Sequence, residues 1–384
     1  MMRVILVACL LGCLSAVAIA GKPDTFIAGL AAFRAHDNAA AVADFRTAAQ
    51  QGDARAQTAL GVMYHNGQGV PQDDAKAVKW YRLAAHQGYA LAQADLGAAY
   101  QTGQGVPLDN AKAAKWIQLA AQQGNAPAQT ALGVMYHNGE GVAQDDAMAV
   151  KWYRLAAHQG VAVAQFNLGV RYHKGLGIPQ DDAKAVKWYR LAAQQGYAKA
   201  QFNLGLMYYR GRGVLQDDSK ALKWFRLAAD QGQAPAQTAL GTMYAQGQGV
   251  RQDDAKALKW LRLAAQRGAA PAQTALGVMY QHGQGVPQDD DLAATFFRLA
   301  AQQGDVAAKF KLGLMYAQGR GVAQDDVEAY KWFALAKAAS KPGSQAYIVT
   351  SRDMRILKAS MSSAQIVQGQ QDAAVWRTVH PKGG

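Results

Sequence analysis

Cysteine is nearly absent from this chain. Cys9 and Cys13 are the two cysteines in 384 residues, which excludes a disulfide framework and a cysteine-based zinc site. Charged side chains are also sparse, at 17% against 50% hydrophobic, and that balance excludes a disordered chain. Beyond the first twenty residues no run is long and apolar enough to cross a bilayer. No segment alternates with the period of a half-buried strand. G-x-S-x-G, H-E-x-x-H and an isolated Ser/His/Asp set are missing, and the glycine pairs lack the strand–loop–helix setting of a phosphate cradle. No catalytic residue, cofactor or metal is therefore expected, and the chain reads as a non-enzyme.

Acidic residues are the scarcer charge, 27 Asp+Glu against 40 Lys+Arg, for a net charge of +13. The chain opens on the basic Met1-Met2-Arg3, followed by an apolar run from Val4 to Ala18 and the small-residue signal Ala18-Ile19-Ala20. Residues 1–20 read as a signal peptide cleaved before Gly21, and the protein as exported, periplasmic or secreted. Leu10-Leu11-Gly12-Cys13 leaves lipidation of Cys13 as the alternative. Cleavage after Ala20 removes both cysteines and one cation, Arg3. Export argues against a nucleic-acid partner, and no nucleic-acid-binding signature appears.

A single period organises the rest. Gly61 recurs at Gly97, Gly133, Gly169, Gly205, Gly241, Gly277 and Gly313, in steps of 36 residues. Tyr64 and Trp80 recur with the same step, Phe296 once replacing Trp. Within 54–89, Ala54 to Asn66 reads as a helix stopped by Gly67-Gln68-Gly69-Val70-Pro71. Asp73 is placed to cap a second helix, with Asp74 in its first turn and Gly88 past its end. Eight such pairs predict an all-α fold, a right-handed α-solenoid of antiparallel helix pairs whose units bury their apolar faces by stacking. Residues 21–53 read as an N-terminal capping unit, 54–341 as eight repeats, and 342–384 as capping helices near 345–361 and 363–379.

The unit resembles the Sel1-like repeat, a relative of the tetratricopeptide repeat, through A-x-A-Q-x-x-L-G-x-x-Y-x-x-G-x-G-V-x-x-D-x-x-K-A-x-x-W-x-x-x-A-A-x-Q-G. Here that is Ala54, Ala56-Gln57, Leu60-Gly61, Tyr64, Gly67, Gly69-Val70, Asp73, Lys76-Ala77, Trp80, Ala84-Ala85 and Gln87-Gly88. The resemblance implies an adaptor that holds proteins or glycans together, often exported in bacteria. Cysteine-rich relatives pin each unit with a disulfide. Their proposed β-lactamase-like activity belongs to a subgroup whose cysteines this chain lacks.

Comparison of the copies separates two faces of the first helix. Ala56, Gln57, Leu60, Gly61 and Tyr64 barely change, and the Met63 position changes only at Ala99 and Arg171. Arg55, Thr58, Ala59, Val62, His65 and Asn66 vary, on an arc of about 120° at about 100° per residue. The constant face predicts packing, with Gly61 admitting a neighbouring helix and Trp80 filling the core. The varying arc predicts a concave partner-binding face. Its richest stretch is Phe166, Asn167, Val170, His173 and Lys174, then Phe202, Asn203, Leu206, Tyr209 and Arg210. Aromatics beside amides and cations have hot-spot chemistry, and mutual packing of Phe166 and Phe202 is the structural alternative. Lys76, Lys79 and Arg82 form a basic ridge, read either as a solvated face or as attraction to anionic surfaces. The expected function is a non-catalytic protein–protein interaction scaffold of the bacterial cell envelope, its partner on the concave face. The alternative is binding to cell-wall material or an anionic polysaccharide.

Overall fold

In a computed structural model, the described residues are 24–380. The proposed signal segment, with Cys13, and residues 381–384 lie outside them. The described residues form twenty helices and no strand. Each repeat supplies two antiparallel helices, from Ala54–Asn66 and Asp74–His86 in the first to Val306–Gln318 and Asp326–Ala339 in the last. Thr25–Arg34 and Asn38–Gln50 precede the repeats, and Gln345–Lys358 and Ser363–Val379 follow them. The chain divides into two compact units, Met1–Ala192 and Ala193–Gly384. Within each unit a helix packs mainly on its neighbours in sequence.

Local chemistry sets the helix ends. Asp73 accepts a hydrogen bond from the Lys76 backbone N–H at 2.9 Å, and the Lys76 ammonium returns to its other oxygen at 3.0 Å. Those two contacts hold the Asp73 carboxyl below its ordinary pKa. Gly67 ends the first helix in the left-handed region, at φ 68°, where a side chain would be strained. Ser362 begins the final helix with a capping box to Gln365.

Six of the eight repeat hairpins close on a glycine against a ring, while Gly97 meets Ile117 and Gly241 meets Leu261. A Cβ on Gly61 would lie 2.6 Å from the Tyr81 ring, and one on Gly133 the same distance from Tyr153. Gly205 and Phe225, Gly277 and Phe297, and Gly313 and Phe333 repeat the arrangement. Only a bare glycine lets the ring of the second helix lie against the first helix backbone. This refines the reading of the sequence, which gave Trp80 and its copies the core role. The residue after the tryptophan is the deeply buried one: Tyr153, Tyr189 and Phe225 are each 1% exposed. Trp152, Trp260 and Trp332 are buried, but Trp80, Trp116, Trp188 and Trp224 are half-buried.

Consecutive repeats are joined by glutamine. The buried Gln57 amide donates to the Ala49 carbonyl of the preceding helix at 3.1 Å and accepts from Gln87, past the end of its own second helix, at 2.7 Å. Gln93, Gln129, Gln165, Gln201 and Gln237 donate to the equivalent carbonyls at 3.1–3.2 Å. A buried amide is costly without partners, so this residue fixes the register of three helices at once. In the last repeat Lys309 takes the position. It is fully buried with its ammonium 5.1 Å from the centre of the Trp376 ring, and burial pushes its pKa down.

Two outcomes follow for denaturant unfolding. Phe225→Ala is expected to cost about 3–5 kcal/mol, and Trp224→Ala, from a half-buried site, no more than about 2 kcal/mol. Equal losses would return the core role to tryptophan. Gln129→Leu is expected to cost about 1–3 kcal/mol, because the Ala121 carbonyl and the Gln159 amide both lose a partner.

Candidate binding groove

The varying arc of the first three repeats encloses a cleft of about 510 Å³ in the N-terminal unit. Arg55, Thr58 and Val62 form one wall, from Ala54–Asn66. Leu91, Ala94, Asp95 and Ala98, from Ala90–Thr102, form the middle. Pro127, Thr130 and Ala131, from Ala126–Asn138, form the far wall, with Val161 and Val163 beyond. Ile117 also lines the cleft. Thr58 and Thr130 donate their hydroxyls to the carbonyls four residues back, at 2.7 and 2.9 Å. Their hydrogen-bonding capacity is thus spent on their own helices, and the walls are mostly apolar.

The cleft exists because side chains are small where other repeats are large. Positions 58, 94, 130, 166, 202, 238, 274 and 310 are equivalent, with Phe at 166, 202 and 310 and Thr or Ala at the rest. Phe166 packs on Tyr189 with ring centres 5.8 Å apart, and Phe202 on Phe225 and Phe310 on Phe333 at 5.7 Å, all tilted by about 40°. Phenylalanine therefore covers the ring of the second helix. In the second repeat Ala94 replaces it, and Ile117 stands where most copies carry a ring, so the space stays open.

Asp95 is the group that sequence reasoning missed. Its copies are Ala59, Ala131, Asn167, Asn203, Ala239, Ala275 and Lys311, so it is the one acidic residue at that position. Comparing the copies for a lone change of charge would have found it. It is half-buried, lines the apolar cleft, and also borders a more polar recess of about 560 Å³ with His65, Asp74 and Tyr81. Among the described residues it has no hydrogen-bond or ion-pair partner. Burial raises its carboxyl from 3.8 to about 7. Arg55, the cation of the cleft, is committed elsewhere: it holds Asp53 at 2.6 Å and Asp24 at 3.1 Å and lies over the Phe26 ring.

The residues chosen from sequence are divided between the two compact units. Phe166, Asn167, Val170, His173 and Lys174 belong to the first, and Phe202, Asn203, Leu206, Tyr209 and Arg210 to the second. Lys174 and Arg210 are exposed and the others half-buried. Several have local roles. His173 meets Asp182 at 2.6 Å, and Tyr209 donates to Gln248 at 3.0 Å. His65 and His137 pair in the same way with Asp74 and Asp146, at 2.6 and 2.8 Å. Arg171 adds itself to the Asp146 carboxylate at 3.0 Å. Part of the basic ridge is also engaged. Lys76, Lys112, Lys184, Lys220 and Lys256 pair with their cap aspartates at 2.7–3.0 Å and lie 5.5–5.7 Å from the centre of a tyrosine ring.

A family profile described as Sel1 repeat matches eight successive segments, from 54–89 to 306–340. The chain belongs to the Sel1 repeat family. It is 31% identical to a protective antigen of uropathogenic Escherichia coli that displays an SLR fold, over 94% of this chain and 92% of that one, with a TM-score of 0.62. It is 34% identical to a Sel1 repeat protein from Oxalobacter formigenes, over 91% and 99%, with a TM-score of 0.61. No curated protein matches the sequence. Sel1 repeat proteins are generally protein–protein interaction scaffolds and typically non-catalytic, and the α-solenoid expected from the period is the fold of these relatives.

The perturbed carboxyl makes a measurable claim. Between about pH 4 and pH 7 the folded state keeps a proton on Asp95 that the unfolded state releases, so this group lowers stability as pH rises through that window. Asp95→Asn removes the ionised form. Its urea midpoint is expected to exceed that of the unmodified protein at pH 8, with the difference shrinking toward pH 4. A difference independent of pH would contradict an uncompensated carboxyl.

Proposed function

We propose that this protein is an exported, non-catalytic scaffold of the bacterial cell envelope that holds a protein partner in the groove of its first three repeats. The observation that carries the reading is the open apolar cleft on the varying face of the first helices, between constant faces committed to packing. Family membership supports the scaffold role. The leader-like first twenty residues support export, and no helix among the described residues is long and apolar enough to cross a membrane. The half-buried Phe166, Phe202 and Tyr209 are proposed as a second contact region.

The test is cross-linking of residues 21–384, tagged, in their own envelope, beside two variants. Ala94→Phe/Thr130→Phe fills the groove with the side chain that other repeats carry there. Phe166→Ala/Phe202→Ala/Tyr209→Ala strips the aromatic region. A protein partner lost in the groove-filled variant is the expected result. Loss only in the aromatic variant would move the binding site to that region. Retention of cell-wall glycan by all three versions, released by salt and without a protein partner, would replace the reading with attraction through the basic ridge.

A further inference from the structure

We infer that the groove selects an aliphatic peptide segment carrying one lysine or arginine, whose cation is received by Asp95. The inference rests on the groove being the scaffold's binding face and names the chemistry of its occupant. Three observations carry it. The walls are mostly apolar, with both threonine hydroxyls turned back onto their own helices. Asp95 lines the cleft without a cationic partner among the described residues. Arg55 is held by Asp24 and Asp53, so these three and an ionised Asp95 sum to −2 on a chain of +13.

That combination discriminates. The stem of a lysine or arginine lies along apolar surface while its charged end seeks a partner, and an ionised carboxylate between mostly apolar walls is a strong one. A peptide without a cation would bury Asp95 with its charge unmatched, or oblige it to keep its proton. An acidic segment would be repelled. The cleft volume, about 510 Å³, lies within the range of binding pockets, about 300–1,000 Å³, and suits a short stretch of side chains rather than a folded domain. The other titratable groups lining the two recesses that Asp95 borders are Tyr81 and Asp74 on the second helix of the first repeat, Arg55 and His65 on its first helix, and Tyr89 just before the helix that carries Asp95. His65 already pairs with Asp74. A cation binds the ionised form of Asp95, so affinity rises as pH increases through about 7.

The experiment selects displayed random dodecapeptides on residues 21–384 at pH 8, then measures the winners by calorimetry against Asp95→Asn, Asp95→Lys and Thr130→Phe. Circular dichroism first establishes that each variant keeps its helix content. The expected winners are aliphatic with one Lys or Arg. They weaken about tenfold or more on Asp95→Asn, lose their pH dependence there, and bind Asp95→Lys only when the peptide cation is changed to Glu. Winners lost in Thr130→Phe but indifferent to Asp95→Asn, or without a cation, would overturn this inference and leave the groove reading standing. Winners that bind Thr130→Phe undiminished would overturn the groove reading as well. Hexylammonium binding as tightly as the peptides would assign the site to a small amine instead.

Discussion

A ring lying on a bare glycine is the contact on which this architecture depends. It lets the ring of one helix lie against the backbone of the other, and the small Ala77 and Ala84 are buried in the same cluster as the Tyr81 ring. A Cβ at Gly133 or Gly205 could not be placed without moving Tyr153 or Phe225. Glutamine then does between repeats what the ring does within one. A directional bond inside an apolar stack sets register, whereas apolar contact alone would tolerate sliding.

The same ring decides where the molecule is open. Position 58 and its copies stand over it, and the side chain chosen there either covers the ring or leaves a void. Phe166, Phe202 and Phe310 cover it. Thr58, Ala94 and Thr130 do not, and with Ile117 below them the cleft of the first repeats appears. Diversity along one line of a repeat protein is therefore of two kinds. Phenylalanine adds packing onto the ring, and the half-buried Ala94 and Thr130 leave space open, whereas Thr58 is 3% exposed.

The placement of charge follows similar logic. Many of the cations that give the chain its +13 are bound locally: ridge lysines to cap aspartates, Arg171 to Asp146, Arg55 to Asp24 and Asp53. Formal charge thus overstates what is offered to a partner. Asp95 is the opposite case, a carboxylate that lines an apolar cleft without a cation beside it among the described residues, where the cap aspartates have backbone and lysine partners.

The repeat was legible in the sequence because each helix boundary is a local event. Asp73 as cap, Gly67 as stop and the 36-residue spacing of Gly61 act within a few residues of themselves, and the varying arc follows from helical geometry alone. The core ring was less legible, because Trp80 and Tyr81 are adjacent, both aromatic, and distinguished only by which one faces Gly61 across the hairpin. The groove was not legible. Reading the arc for aromatics pointed to Phe166 and Phe202, whose rings the structure packs on Tyr189 and Phe225 while leaving both half-buried. The emptiness beside Ala94 and the isolation of Asp95 depend on what three successive helices do not bring near. Local sequence settled the helices and their period; only tertiary packing decided which positions are filled, because a cavity is a property of the neighbours and not of the residues that line it.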